Sequence, residues 1–250
     1  MKLNGKSALV TGGGTGIGRA VCLALAKEGA SVAVNYSKSE SEAVMTLEDL
    51  RKLGAFGLAV RADVSSDKEV RGMVDNVLKV FGRIDILINN AAFTRFIGHA
   101  DLEAMTEEIW DRIFAVNLKG LFFCCRAVAP AMKKQGSGRI VNVASIAGLN
   151  GRGSCIAYAA SKAGVVSVTK SLARALGPEI LVNAVAPGLV ETRWLDGTAN
   201  APDLRRNFVN DAVIKHVGRP EDVAEVVLTL ASDWTFVTGQ TVVVDGGRTV

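Results

Sequence analysis

Seven short apolar runs, separated by longer stretches with helical periodicity, constrain the fold more than any other feature of this sequence. They start with SALVT (7–11), end with TVVVD (241–245), and are rich in Val, Ile and Leu with little polar alternation. Strands covered on both faces have this composition. Because strand–helix–strand repeats form right-handed crossovers, we expect a doubly wound α/β fold with a seven-stranded parallel sheet and helices on both faces.

The same patterns give approximate bounds for each element. The predicted strands are 7–11, 31–35, 56–60, 85–89, 139–145, 180–185 and 241–245, and the predicted helices are 16–28, 40–53, 67–81, 106–135, 155–176 and 221–232. We see no linker or repeat, and we expect residues 1–250 to form one domain. Ligands of such sheets bind outside the carboxyl ends of the strands, so the residues that follow each strand are the candidates for function.

Charge and cysteine usage argue against several classes of protein. The net charge is +4 and basic residues cluster only in pairs, which predicts no nucleic-acid groove. No apolar run reaches the roughly 18 residues of a membrane span, and no signal peptide is recognisable at the start. The cysteines form no C-x-x-C pair and lie far from the two histidines, so we predict no metal site, no disulfide framework and a reducing cytoplasmic setting; they are Cys22, Cys124, Cys125 and Cys155.

A glycine loop follows the first strand. In TGGGTGIG (11–18), glycines permit a tight turn and close approach of a ligand to the backbone. The helix that follows directs its free N–H groups and positive dipole end toward the loop, as in Rossmann-type dinucleotide sites. We expect this loop to hold a pyrophosphate through Gly12, Gly14, Thr15, Gly16, Ile17 and Gly18. The alternative is a glycine-rich turn without a ligand.

The end of the second strand bears on the choice of nicotinamide cofactor. A carboxylate there would accept the ribose hydroxyls of NAD and repel the 2′-phosphate of NADP. Here the expected position is Tyr36, followed by Ser37, Lys38 and Ser39, a hydroxyl–ammonium–hydroxyl group suited to a phosphate. This predicts a preference for NADP(H). A polar loop that discriminates weakly is the alternative, so NAD(H) stays possible.

YAASK (158–162) places a tyrosine and a lysine four residues apart at the start of a predicted helix. Residues at this spacing share one helix face, so the Lys162 ammonium is expected near the Tyr158 phenol. An opposite charge within about 4–6 Å lowers the pKa of an acid. The pKa of the phenol would then lie closer to the working pH, where general acid–base catalysis is efficient. Alone, the pair is also typical of a solvated helix surface.

Further polar residues support a catalytic role for this pair. Ser145 ends the fifth strand, thirteen residues before Tyr158, and Asn117 lies among apolar residues of a long predicted helix. NNAA (89–92) follows the fourth strand and APG (186–188) follows the sixth. All are expected at the carboxyl edge of the sheet or on a neighbouring helix.

Taken together, these motifs resemble those of the classical short-chain dehydrogenase/reductase family, especially its 3-oxoacyl-carrier-protein-reductase-like and sugar-dehydrogenase-like members. The resemblance covers essentially the whole chain and also includes Asp63-Val64, PGLVET (187–192) and TGQTVVVDGG near the end. It implies that Asp63 and Val64 contact the adenine, and that Asn89 and Ala91 line the adenosine ribose. It further implies nicotinamide contacts from Pro187, Gly188, Val190 and Thr192, cofactor contacts from Tyr158 and Lys162, and a catalytic tetrad of Asn117, Ser145, Tyr158 and Lys162.

The resemblance also implies an activity and an assembly. The activity is hydride transfer between NADP(H) and a carbonyl or secondary alcohol, with small ketones, sugars, steroids and 3-oxoacyl thioesters all open as substrates. Substrate choice is expected from 93–101, 146–156 and 189–215, the last either a loop that closes over substrate or an irregular surface segment. The expected assembly is a homotetramer, with a monomer as the alternative. An NAD-dependent alcohol or sugar dehydrogenase, a non-catalytic dinucleotide-binding regulator and an interaction protein that shares only the fold are the competing functions.

Overall fold

A computed structural model describes residues 1–196, 198 and 200–250, and within them seven strands form one parallel sheet. The strand order is β3-β2-β1-β4-β5-β6-β7. The strands are β1 (Ser7–Val10), β2 (Ser31–Tyr36), β3 (Gly57–Arg61), β4 (Ile86–Asn89), β5 (Gly138–Val143), β6 (Ile180–Pro187) and β7 (Thr241–Val244). The predicted fold class is thereby confirmed.

Helices cover both faces of this sheet. The described helices are α1 (Gly16–Lys27), α2 (Glu40–Lys52), α3 (Asp67–Phe81), α4 (Glu107–Phe114), α5 (Leu121–Lys134), α6 (Ala147–Asn150), α7 (Ile156–Leu176), α8 (Arg193–Asp196), α9 (Ala201–Asp211) and α10 (Pro220–Ser232). One apolar core lies between the sheet and α3, α5 and α7, and a second lies between the sheet and α1, α2 and α10.

Strand β1 shows why the short apolar runs became central strands. Leu9 faces the first core, whereas Ala8 and Val10 face the second, and all three are fully buried. Burying a leucine or valine side chain contributes about 1.5–3 kcal/mol, so a strand that is apolar on both faces is stabilised most at the centre of the sheet. The chain leaves β1 toward β3 on one side and returns to β4 on the other, which places the topological switch point between β1 and β4.

The predicted helix 106–135 is one continuous helical stretch with a π-helical segment, Ala115–Gly120, between α4 and α5. Such segments are rare and frequently lie at functional sites, and this one contains Asn117. By length and composition alone, Glu107–Lys134 could cross a membrane, although no single apolar run of the sequence is that long. Half of its most apolar 18-residue stretch is buried inside the protein, where α5 packs on the sheet.

Segment 189–215, predicted as a substrate loop, contains two helices, α8 and α9, that the sequence patterns did not reveal. The segment includes Gly197 and Ala199, which lie outside the described residues. Leu195 of α8 is buried, and so are Ala201 and Phe208 of α9, so apolar side chains anchor both helices. Helix α8 spans only four residues, too few for periodicity to identify, whereas Ala201, Leu204 and Phe208 of α9 do recur at helical spacing within a segment that we interpreted as a loop.

Candidate active site

A cavity of about 910 Å³ opens at the carboxyl ends of the strands, beside the switch point. This volume is within the range of small-molecule and cofactor sites. All but three of the predicted site residues line it. Those on the wall are Gly12, Gly14, Thr15, Gly16, Ile17, Tyr36, Ser37, Lys38, Asp63, Val64, Ala91, Ser145, Tyr158, Lys162, Pro187, Gly188, Val190 and Thr192; those that are not on it are Gly18, Asn89 and Asn117.

The glycine loop has the geometry that a pyrophosphate requires. Gly12 and Gly16 have φ values of +62° and +51°, a region that favours glycine. Helix α1 begins at Gly16 with no side-chain cap and no acidic residue in its first turn. Its N–H groups and positive dipole end therefore face the cavity without a competing anion. Gly18 is needed for packing, because a methyl group there would collide with the carbonyl oxygen of Gly12.

Asn89 does not line the ribose side of the cavity, contrary to the prediction. Its side chain is buried between the sheet and α5, where its Nδ2 donates to Oδ1 of Asn142 at 2.9 Å and to Sγ of Cys125. Asn90 lies on the cavity wall instead, and its Nδ2 donates to the carbonyl oxygens of Thr11 and Gly12, each at 3.0 Å. Successive side chains of a strand point to opposite faces, so the second of the two asparagines reaches the glycine loop.

The loop after β2 forms the far end of the cavity. Tyr36, Ser37, Lys38 and Ser39 all line it, and the Tyr36 hydroxyl donates to Oε1 of Glu40 at 3.1 Å. The Glu40 carboxylate, which follows the loop in the chain, is therefore already hydrogen-bonded. The loop presents hydroxyl groups and one ammonium group to the cavity.

Arg112, which sequence reasoning missed, holds the Asp63 carboxylate. Its Nη2 donates to Oδ2 of Asp63 at 2.9 Å and its Nη1 donates to Oγ of Ser65 at 3.0 Å, while the Ser65 amide and hydroxyl bind Oδ1. Burial alone would raise the pKa of Asp63, but these hydrogen bonds outweigh it and hold the pKa below its usual range. Asp63 is a fixed carboxylate acceptor at the cavity wall. No sequence pattern pairs residues 49 positions apart, so only the fold reveals this contact.

Ser145, Tyr158 and Lys162 meet at the other end of the cavity. Lys162 is 3% exposed. Its Nζ lies 5.7 Å from the centre of the Tyr158 ring and donates to the carbonyl oxygen of Val143 at 2.6 Å. Burial lowers its pKa to about 8. The predicted proximity of the two side chains is confirmed.

The prediction that Lys162 lowers the pKa of the Tyr158 phenol is wrong for the protein without cofactor. Burial raises the pKa of Tyr158 to about 12, and interaction with the Ser145 side chain acts in the opposite direction without offsetting it. The Lys162 ammonium donates to the Val143 carbonyl and not to the phenol, which explains why its charge does not set the pKa of Tyr158.

Asn117 braces the site from behind. Its Oδ1 accepts from the Phe93 amide at 2.7 Å, and its Nδ2 donates to the Phe93 carbonyl and to Oγ of Ser161. Ser161 in turn donates to the carbonyl oxygen of Tyr158 at 2.8 Å. The side chain thus connects the π-helical segment to the cavity-lining strand end and to the first turn of α7.

The chain after β6 forms the roof. Thr192 packs against Gly16, where an added methyl group would come within 3.1 Å of the threonine methyl group. Trp194 follows on α8, and its ring meets the Tyr158 ring edge-on at 6.2 Å between centres. The cavity therefore runs from the loop after β2, past the glycine loop, to Tyr158 under an aromatic roof.

Comparison with known proteins identifies the family. A family model described as enoyl-(acyl carrier protein) reductase matches residues 12–249. The chain is 42% identical over 258 residues to 3-oxoacyl-acyl-carrier-protein reductase FabG of Thermotoga maritima, covering all of both chains. It is 41% identical over 244 residues to FabG of Staphylococcus epidermidis, covering 97% of this chain and 98% of that one. The chain belongs to the short-chain dehydrogenase/reductase family.

A solved structure agrees with this assignment. NAD⁺-bound xylitol dehydrogenase superposes with a TM-score of 0.92 at 30% identity, covering 99% of this chain and all of the other. As a short-chain dehydrogenase/reductase, the protein is a nicotinamide-dependent oxidoreductase acting on CH–OH groups, and the resemblance recognised from its motifs is confirmed.

Proposed function

We propose that this protein uses NADPH to reduce the ketone of a small molecule, with 3-oxoacyl thioesters as the best candidates, and that Tyr158 is the proton donor. The observation that carries the proposal is one continuous cavity wall. It joins the glycine loop, the hydroxyl- and lysine-bearing loop after β2, and the Ser145–Tyr158–Lys162 set. A dinucleotide with a 2′-phosphate and a carbonyl substrate would fill these three parts in that order.

The residues present fit such a dinucleotide. The uncapped start of α1 and the glycines at 12 and 16 suit the pyrophosphate, and the fixed Asp63 carboxylate suits an amino group of the adenine. Ser37 and Lys38 suit the 2′-phosphate, because they offer donors and a positive charge where an NAD-selective site offers a carboxylate. Val190 and Thr192 line the opposite part of the cavity and would hold the nicotinamide end.

The bound nicotinamide would supply or accept the hydride at the carbonyl carbon. Ser145 and Tyr158 would hydrogen-bond the carbonyl oxygen and so fix the carbon in place. Negative charge develops on that oxygen, and the Tyr158 phenol would neutralise it by donating its proton. In the reverse direction the same phenol, deprotonated, would accept the alcohol proton.

Lys162 would restore the proton to Tyr158. Because its pKa is about 8, its ammonium releases a proton more readily near neutral pH than an exposed lysine does. Its bond to the Val143 carbonyl keeps it within reach of the tyrosine ring. We include Asn117 in this set through its backbone carbonyl, which would hold a water molecule next to Lys162.

The relatives and the cavity wall near Tyr158 support this choice of substrate class. Both curated relatives described above are 3-oxoacyl-acyl-carrier-protein reductases by name. Arg95 and Arg152 line the cavity, which favours a substrate with an anionic portion. Trp194 and Phe93 supply the apolar surface that an acyl chain would contact.

The second candidate is an NAD-dependent alcohol or sugar dehydrogenase. The likeness to NAD⁺-bound xylitol dehydrogenase favours it. A non-catalytic dinucleotide-binding regulator is less favoured, because none of the four tetrad positions is replaced.

We propose in addition that residues 1–250 form one domain that assembles as a cytoplasmic homotetramer. Trp110 and Phe122, on α4 and α5, are each about two-fifths exposed, and β7, at the edge of the sheet, carries the two-fifths-exposed Val243 and is preceded in the chain by the fully exposed Phe236. Two such apolar surfaces suit two different two-fold interfaces. The four free, buried cysteines suit a reducing compartment. Light scattering of the purified protein tests the assembly, and a monomeric mass would contradict it.

Initial rates with a substrate panel test the proposed function. The panel contains an acetoacetyl thioester, an enoyl thioester, a cyclic diketone and a ketose, each with NADPH and with NADH. We expect the highest kcat/KM for NADPH with the acetoacetyl thioester. Faster turnover with NADH and the ketose would instead support the dehydrogenase reading.

A further inference from the structure

Arg193 connects two parts of the cavity that the proposed function uses separately. It begins α8 in the roof, and its guanidinium reaches across to the start of α2. Nη2 donates to Oγ of Ser39 at 3.3 Å, and Nη1 lies 3.2 Å from Oε1 of Glu42. Ser39 belongs to the loop after β2, next to Ser37 and Lys38 on the same cavity wall.

The contact with Glu42 is of the kind that exchanges easily. The side chains of Arg193 and Glu42 are 53% and 33% exposed, and exposed ion pairs contribute little. A backbone hydrogen bond at Glu42 itself and the Ser41 hydroxyl do most to hold the pKa of Glu42 below its usual range, and Arg193 does least. The Glu42 carboxylate is therefore stabilised without Arg193, and the guanidinium is free to move to a stronger anion.

A phosphate monoester is such an anion. It carries a charge of about −1.5 to −2 near neutral pH, and a guanidinium binds it through two parallel hydrogen bonds. Lys38 supplies one positive charge to this end of the cavity, and Arg193 supplies a second one from the roof.

We propose that Arg193 is a specificity-determining residue that binds the 2′-phosphate of NADP(H) in exchange for Glu42, and that this contact holds α8 over the substrate site. The inference rests on the proposed function, since it assumes a dinucleotide in this cavity. Trp194, the next residue, meets the Tyr158 ring edge-on. A cofactor with the phosphate would thus fix the aromatic roof, whereas one without it would leave Arg193 on Glu42.

Two nucleotides that differ only in the 2′-phosphate test the contact without the reaction. We would measure the Kd of 2′,5′-ADP and of 5′-AMP by titration calorimetry for the wild type and for three variants. Arg193→Gln removes the guanidinium, and Glu42→Gln removes its competitor. Arg206→Gln is the control, because Arg206 lies in the same segment, pairs with Asp203 at 2.6 Å, and is not part of the cavity wall.

The two test variants should change affinity in opposite directions. We expect Arg193→Gln to weaken 2′,5′-ADP binding on the order of tenfold and to leave 5′-AMP within about twofold. Glu42→Gln should tighten 2′,5′-ADP, because the guanidinium no longer has a competing partner. Arg206→Gln should match the wild type.

Trp194 fluorescence reports on the roof. In a background where the other two tryptophans, Trp110 and Trp234, are phenylalanine, emission comes from Trp194 alone. We expect 2′,5′-ADP to change this emission and 5′-AMP to leave it unchanged. The change should disappear when Arg193→Gln is added.

Other outcomes separate this inference from the proposed function. If the wild type binds NADPH, and Arg193→Gln binds 2′,5′-ADP as tightly as the wild type does, the inference is wrong and the proposed function stands. If Glu42→Gln weakens 2′,5′-ADP as Arg193→Gln does, Arg193 only braces α8 against α2, and the specificity role is wrong. If the wild type binds neither NADPH nor NADH, both the proposed function and this inference fail.

Discussion

Replacing Lys162 by methionine should abolish turnover yet spare or increase stability near neutral pH. The folded protein holds this side chain 3% exposed, with a pKa of about 8 instead of 10.5. Below pH 8 the lysine is charged in both the folded and the unfolded state, so its full burial penalty is present. Between pH 8 and 10.5 only the unfolded state keeps the proton, so the stability of the wild type rises with pH.

The size of the effect follows from the same two values. A difference of 10.5 minus about 8, at about 1.4 kcal/mol per pH unit, gives a penalty of about 3 kcal/mol at neutral pH. The methionine variant escapes that penalty but leaves the Val143 carbonyl without its donor, which costs about 1–3 kcal/mol at every pH. The variant should therefore unfold with a free energy similar to or slightly above that of the wild type at pH 7.

Urea unfolding, monitored by circular dichroism at pH 7, 8, 9 and 10, measures the free energy of unfolding of the variant and of the wild type. We expect the stability of Lys162→Met relative to the wild type to fall by about 2–3 kcal/mol from pH 7 to pH 10. Lys170→Met is the control, because Lys170 is an exposed lysine of the same helix. A stability difference that does not change with pH would refute the burial argument.

Three further variants test individual contacts. Gly18→Ala should weaken NADPH binding more than about tenfold in a fluorescence titration, because its methyl group would collide with the Gly12 carbonyl; unchanged binding would contradict the loop geometry. Arg112→Gln should raise the KM for NADPH about three- to tenfold with kcat unchanged, whereas Arg126→Gln, which removes a similar Asp–Arg pair outside the cavity, should leave both unchanged. Equal effects of these two variants would mean that the adenine-side contact has no special role. Asn117→Ala should lower the free energy of unfolding by about 2–4 kcal/mol, because one buried and two partly buried hydrogen bonds are lost; a loss below about 0.5 kcal/mol would contradict the bracing role.

The elements that were predictable from sequence have local causes. Helix α3 was predicted at 67–81 and spans Asp67–Phe81, because Ser66 accepts from the Glu69 amide at its start and Gly82 adopts a left-handed conformation at its end. The central strands were predictable because apolar residues face both cores. Helix α8 is only four residues long, and the start of α9, which carries Pro202 and Asp203, has no side-chain cap like that of α3; neither helix was predicted.

The site was predictable in membership more than in geometry. The spacing of Tyr158 and Lys162 gave their proximity, but burial and a bond to Val143, nineteen residues away, decide the direction of the pKa shift. Asn89 and Asn90 are identical in type, and only the alternation at the end of β4 decides which one reaches the cavity. The contact from Arg193 to α2 likewise depends on how the roof folds back over the sheet.

Single-turnover oxidation of prebound NADPH tests the central proposal most directly. Wild type and Tyr158→Phe would be mixed with excess acetoacetyl thioester and followed by loss of NADPH absorbance, with NADPH affinity measured in parallel. Removing a general acid should slow the reaction about 10²–10⁴-fold, while the Kd for NADPH stays within about threefold. Turnover by Tyr158→Phe near the wild-type rate, with NADPH still bound, would contradict the role given to Tyr158.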